Sequence, residues 1–264
     1  MRILNFLFSR SKQEQDKPIR DKLKTRKDFE RVLAEDLDIM ETTKARIDTA
    51  KNINLYMYRS LSYSYILILQ SKYSVDAKID ELRDIYIKSM HYFLQAFNKR
   101  NPIYADILNY VSLGVLLNIP DNNFRQLIDY VKQMDKQAKP SGWTPDLLLW
   151  FMLNSRMKEQ EKQKYAETLA YPRLYNGLYK VIQAPNAAAA KDALNKYLDR
   201  WYNLNSNAPW YNSHLKDNCY RGYWAWEVAA VAKIMHIDDS DLKNNQYYPY
   251  DMVHWADNET TAKE

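Results

Sequence analysis

The chain has 264 residues, 46% of them hydrophobic and 27% charged, with a formal net charge of +5, a balance that supports a sizeable core and excludes a natively disordered chain. Only four glycines are present, too few for the turns and bulges of a β-rich fold, and the single cysteine, Cys219, excludes an intramolecular disulfide and fits a reducing compartment. Residues 1–27 hold nine Lys/Arg against three acids, a segment charge of +6 that leaves −1 for everything else, so the basic character belongs to a terminal arm on a near-neutral body.

In that arm, Ile3–Phe8 is shorter than the ~7–15 residues of a signal-peptide core, and no small-residue cleavage site follows. Residues 1–24 are therefore expected to be a flexible arm. Helical periodicity begins near Thr25, with Phe29, Val32, Leu33, Leu37 and Met40 at spacings of three and four, and predicts a helix over 25–51. A second helix over 53–71 carries Leu55, Tyr58, Leu61, Tyr65 and Ile68 and is apolar nearly all round, as a buried central helix would be. A third runs from Val75 or Asp76 to Phe97. Asn101-Pro102 reads as an N-cap followed by proline at the first helical position, and opens a fourth helix ending near Asn118. Pro120-Asp121 opens a fifth. Lys139-Pro140-Ser141-Gly142 is the strongest break in the chain, and Thr144-Pro145-Asp146 repeats the cap-plus-proline pattern. Further helices are expected over 145–155, 160–170, 172–183, 187–203, 218–236 and 239–245. The fold class is all-α: about ten helices, no significant sheet, in two packed subdomains over 25–138 and 139–257, with a tail at 258–264. No stretch approaches the ~18 apolar residues of a membrane span, and the protein is read as soluble and cytoplasmic.

Catalytic signatures are missing. Four scattered glycines cannot build a phosphate loop, and there is neither a His-Glu-x-x-His pattern nor a pair of cysteines. His91, His214, His236 and His254 are far apart in sequence. The reading is of a protein that is not an enzyme and needs no cofactor or metal.

One region is denser in unusual residues than the rest. It runs through Trp201-Tyr202, Trp210-Tyr211 and His214 to Cys219–Ile234, then Asp238-Asp239 and Tyr247-Tyr248-Pro249-Tyr250-Asp251, and five of the seven tryptophans lie between Trp201 and Trp255. On a helix from Tyr220, Glu227 would share a face with Tyr223, Trp226, Ala230 and Ile234, and a carboxylate there needs a hydrogen-bonding or ionic partner. His214, Arg221 or a tyrosine hydroxyl are candidates, and the group reads either as a buried network or as a site. Asp238-Asp239 read either as caps for the segment from Ser240 or, with Asp241, Asp251 and Asp257, as an acidic patch.

The string Gly222-Tyr223-Trp224-Ala225-Trp226-Glu227-Val228-Ala229-Ala230, followed by Asp238-Asp239 and Tyr247-Tyr248-Pro249-Tyr250-Asp251, resembles the C-terminal signature of the PoNi immunity family. The stretch from Arg20-Asp21 to Phe97, including Tyr63-Ser64-Tyr65, is similar to that family's N-terminal helical domain, so the resemblance spans roughly 20–257. It implies an immunity protein that binds and blocks a PoNe-type DNase effector delivered between competing bacteria, as a monomer or dimer, with no direct nucleic-acid or membrane partner. On that reading Asp238, Asp239, Asp241, Asp251, Tyr247 and Tyr248 face the toxin, while Tyr223, Trp224, Trp226, Glu227 and His214 form the structural motif. Two other readings stand beside it: a nucleic-acid-associated regulator acting through the basic arm, and a hydrolase built on Glu227 and His214.

Overall fold

The computed structural model describes residues 18–97, 103–136 and 143–256. Among these are ten α-helices and three short 3-10 turns, with one isolated parallel bridge, Asp146 to Thr168, in place of any sheet. Lys139–Gly142, Asn101-Pro102, Asp257, the tail at 258–264 and residues 1–17 of the arm lie outside the described residues. The chain divides into two compact units: residues 1–99 with 212–223, and residues 100–211 with 224–264. The expected division at 138/139 is thus not where the chain separates into compact bodies: residues 104–136 group with the later helices, and the short late segment 212–223 belongs to the first unit.

The first unit holds α1 (Arg26–Thr49), α2 (Leu55–Ser74) and α3 (Ile79–Phe97). A capping box opens α1: the Thr25 hydroxyl accepts from the Asp28 N–H at 3.3 Å and the Asp28 carboxylate accepts from the Thr25 N–H at 3.0 Å. Phe29, Val32, Leu33, Asp36, Met40 and Ile47 form its buried stripe, and Leu33, Met40 and Ile47 pack with Leu61, Tyr65 and Ile68 of α2. Asn54, whose side chain accepts from the Tyr56 N–H, caps α2, so the Asn52–Asn54 join separates two helices rather than kinking one. Buried Ser62, Ser64, Ser71 and Ser74 keep α2 slim enough to sit between α1 and α3, and the Ser89 hydroxyl of α3 donates to the Ser62 carbonyl at 2.7 Å. Asp76, with φ +80°, ends this run, and α3 starts later than the sequence pattern suggests.

Residues 18–24, expected as the end of a flexible arm, are docked on α2. The Arg20 guanidinium donates to the Tyr73 and Ala77 carbonyls at 3.1 and 3.0 Å, lies 4.7 Å over the Tyr73 ring and pairs with Asp76 at 3.2 Å. It thereby ties this segment to the last turn of α2 and to the loop that follows it. Asp21 is buried and accepts from the Leu23 and Lys24 N–H groups.

The second unit holds α4 (Tyr104–Leu116), α5 (Asp121–Lys136), α6 (Leu147–Asn154), α7 (Pro172–Ile182), α8 (Ala187–Leu204), α9 (Trp226–Met235) and α10 (Tyr250–His254). Its centre is α9, packed against α4, α6, α7, α8 and α10. Val228, Ala229, Ala230 and Val231 have no exposed surface, and the alanines allow neighbouring helices close approach. The same device appears between α7 and α8, where a Cβ on Gly177 would meet the Tyr197 ring at 2.6 Å. Asp146, not Thr144, caps α6. Its fully buried carboxylate accepts from the Leu149 and Ala170 N–H groups at 2.7 Å and from the Tyr104 hydroxyl at 2.8 Å. Residues 160–170, expected as a helix, form only the turn Glu159–Glu161 and an irregular segment. Asn154 holds that segment at both polar atoms of Gln163's backbone, and the bridge from Thr168 anchors it. The segment expected as a helix over 239–245 is a single turn, Ser240–Leu242.

Candidate functional site

The motif Gly222–Ala230 is not one helix. Gly222 takes φ +106°, the segment Tyr220–Ala225 is non-helical, and α9 begins at Trp226. The boundary between the two units falls inside the motif, between Tyr223 and Trp224. The expected helix over 218–236 is shortened because Cys219–Tyr223 spends its polar groups on the first unit. The Arg221 guanidinium makes two bonds of 2.6 Å to the Asp36 carboxylate, the Ser74 hydroxyl donates to the Arg221 carbonyl at 2.8 Å, and the Gln70 amide donates to the Gly222 carbonyl at 2.7 Å. The Tyr220 hydroxyl donates to Asp21 at 2.5 Å. Burial pushes the carboxyls of Asp21 and Asp36 up from the ordinary aspartate value, and the bonds from Tyr220 and Arg221 oppose that rise.

Glu227 and His214 fall in different units, and each has its own partner. The Trp201 indole N–H donates to the Glu227 carboxylate at 2.6 Å, which none of the expected partners does. Burial raises the Glu227 carboxyl, and the indole bond lowers it. Trp201 in turn stacks on Trp210 with centroids 5.5 Å apart, beside Tyr247. His214 meets the Tyr223 hydroxyl through both its backbone N–H and Nδ1, each at 3.0 Å, and Ser213 lies 3.2 Å from the same oxygen. Tyr223, Trp224 and Trp226 are buried.

The six residues expected to face a partner separate into two kinds. Asp239 and Tyr248 are interior: the Tyr248 hydroxyl donates to Asp239 at 2.7 Å, and His254 Nε2 lies 2.8 Å from the other carboxylate oxygen. They leave the candidate surface, since a side chain inside the fold cannot touch a partner. The other four are at least partly exposed. Lys191 of α8 bonds Asp238 at 2.8 Å and Asp241 at 3.2 Å, and Asn195 donates to Asp241 at 2.9 Å. The Lys191 bond holds the Asp238 carboxyl below the usual carboxylate range, and the Asn195 bond does the same for Asp241. Tyr247 stacks on Tyr202 of α8 at 5.4 Å with rings 3° from parallel. Asp238, Asp241 and Tyr247 are thus brought together along one face of α8, where 191, 195 and 202 are spaced at helical intervals. Asp251 is exposed on α10.

Among the described residues no group of three or more His, Cys, Asp or Glu side chains is placed to hold a metal ion, and no helix is long and apolar enough to cross a membrane. Sequence reasoning named Asp21 and Arg221 but not the pairs they make, because each partner is distant in the chain. A charged Asp36 within the apolar stripe of α1 was the one available signal.

The comparisons with known proteins agree with this architecture. The chain is similar to a crystal structure of protein PA2201 from Pseudomonas aeruginosa, with a TM-score of 0.69 at 17% identity and coverage of 93% of each chain, a likeness of fold. No curated protein matches it. Residues 12–129 match the model for the PoNe immunity protein (PoNi) N-terminal domain, and residues 144–252 match that for the PoNi C-terminal domain. With both halves matched in order, the chain belongs to the PoNi family of immunity proteins.

Proposed function

We propose that this protein neutralises a cognate DNase toxin of the PoNe type, delivered between bacteria by a type VI-like or contact-dependent route, by binding it in the cytoplasm of the producing cell. The observation that carries the reading is the match of both PoNi domains across 12–129 and 144–252. It acts through contact rather than turnover. Glu227 and His214, the groups a hydrolase would use, are each bonded to an aromatic side chain, Trp201 and Tyr223. On the second unit, the half-exposed Tyr247 with Asp238 and Asp241 beside α8, and Asp251 on α10, are the toxin-facing residues of this reading.

Co-expression of the nuclease encoded beside this gene, with and without the chain, tests it. Survival and intact chromosomal DNA only when the chain is present are expected. Equal killing in both cultures contradicts the reading. DNA binding by the purified chain that disappears on deleting residues 1–17 would favour a nucleic-acid-associated regulator instead.

A further inference from the structure

The inward carboxylates of the second unit are not equally supplied with donors. Asp146 accepts from two backbone N–H groups and the Tyr104 hydroxyl. Asp135 accepts from the Trp143 and Trp150 indoles and the Tyr165 hydroxyl at 2.9, 2.7 and 2.8 Å. Asp239 has Tyr248 and His254. Glu227 receives one side-chain bond, from the Trp201 indole, although a carboxylate offers about four acceptor sites. Its own backbone N–H at the start of α9 adds a further pull, and among the described residues no cation pairs with it. Glu227 is half-buried, and neither of its carboxylate oxygens is among the unsatisfied atoms sealed within the described fold. Glutamine would accept the same indole bond without a charge to desolvate, so the negative charge serves something other than the fold.

The surroundings of this acid are aromatic. Tyr197 stands one turn before Trp201 on α8, and burial, then the Glu227 charge, push up the phenols of Tyr197 and of Tyr175 on α7. From Trp201 a chain of ring contacts leads outward. Trp201 stacks on Trp210 and lies 5.5 Å from Tyr247, Tyr247 stacks on Tyr202, and Tyr202 stacks on Tyr211 at 4.5 Å. Trp201 is buried and the other four are half-exposed, so the group is continuous from the acid to the surface.

We propose that Glu227, with the rings gathered on Trp201, is the receptor for one arginine or lysine side chain of the toxin. The proposal rests on the immunity reading above and deepens it. Charge complementarity names the occupant. An unneutralised carboxylate attracts a cation, aromatic rings hold both the charge and the apolar stem behind it, and a nuclease presents arginine and lysine to the phosphate backbone. Tryptophan and tyrosine held against one another also lose little freedom on binding, which suits them to the centre of an interface.

The test measures dissociation of the full-length chain from a catalytically inactivated nuclease domain encoded by the neighbouring gene, with urea unfolding of each variant alongside. Glu227→Gln is expected to fold at least as stably as the parent and to dissociate about tenfold or more faster, at high salt as at low, because an enclosed pair is little screened. Tyr211→Ala, at the outer end of the ring group, is expected to speed dissociation about threefold or more. Asp129→Asn, the loss of an exposed charge on α5, is expected to stay within about threefold of the parent. In a double-variant cycle, one arginine or lysine of the nuclease is expected to lose its effect once Glu227 is replaced by glutamine. Parent-like dissociation by Glu227→Gln overturns the receptor and leaves the immunity reading standing. A Glu227→Gln chain less stable than the parent makes the carboxylate structural and overturns it also. Parent-like dissociation by Tyr211→Ala overturns the part given to the rings, and equal loss by Asp129→Asn overturns the receptor in favour of overall charge. Faster dissociation with no nuclease cation coupled to Glu227 overturns the occupant, as does self-association of the parent chain that Glu227→Gln abolishes. No complex with the parent chain overturns the receptor together with the immunity reading.

Discussion

Two acidic stretches, residues 35–41 on α1 and 238–241 beside α8, look alike in sequence and behave differently in the fold. In each, one aspartate turns inward and becomes part of the scaffold: Asp36 through a two-pronged bond to Arg221, and Asp239 through Tyr248 and His254. The difference lies in their neighbours. Asp238 and Asp241 share one lysine, whereas Glu35, Asp38 and Glu41 have no ion pair among the described residues. A count of acids therefore does not locate a negative surface, because what reaches a partner is the charge left after local pairing.

The inward aspartates should dominate stability. Asp36→Ala leaves a largely buried guanidinium without its carboxylate and is expected to cost about 3–5 kcal/mol in urea unfolding; a cost under about 1 kcal/mol would show that solvent reaches Arg221 freely. Asp239→Ala removes the acceptor for a buried tyrosine hydroxyl and is expected to cost about 2–3 kcal/mol. For that reason a combined reversal of Asp238 and Asp239 would report on folding as well as on binding, and Asp238→Lys alone is the cleaner probe of the surface.

Glu227 is a third inward carboxylate, held by an indole rather than by a charge, and it sets a pH dependence. Its carboxyl is raised in the folded state by burial, so folding favours the protonated form. The resulting penalty is fully present above the folded pKa and is relieved as pH falls through it toward the unfolded value. Glu227→Gln keeps an acceptor for the Trp201 N–H and is expected to raise stability by on the order of 1 kcal/mol near neutral pH, with the gain shrinking as the solution is acidified. A gain that grows on acidification would reverse the assignment. The smallest effect belongs to the paired surface: Lys191→Ala should change stability by no more than about 0.5 kcal/mol, since exposed ion pairs contribute little.

Much of the fold was legible in the sequence. The ranges of α1, α2, α7 and α8 lie within about three residues of those expected from the sequence, and the all-helical class follows from the scarcity of glycine. What periodicity missed was decided by distant contacts. Residues 160–170 have helical composition but bond to Asn154 and bridge to Asp146 instead. Tyr220–Ala225 is drawn out of α9 by Asp36, Asp21, Gln70 and Ser74, all at least 140 positions earlier. Of the expected site residues, sequence could find Asp238, Asp239, Asp241 and the tyrosines, but it could not tell which way each would turn. Asp239 and Asp238 are adjacent in the chain and end on opposite sides of the surface.

The most direct measurement is cleavage of supercoiled plasmid by the active toxin nuclease domain as the purified chain is titrated in. Action by contact predicts that cleavage falls with added chain and stops near one equivalent, while an unrelated DNase is unaffected. Undiminished cleavage with the chain in large excess would contradict it.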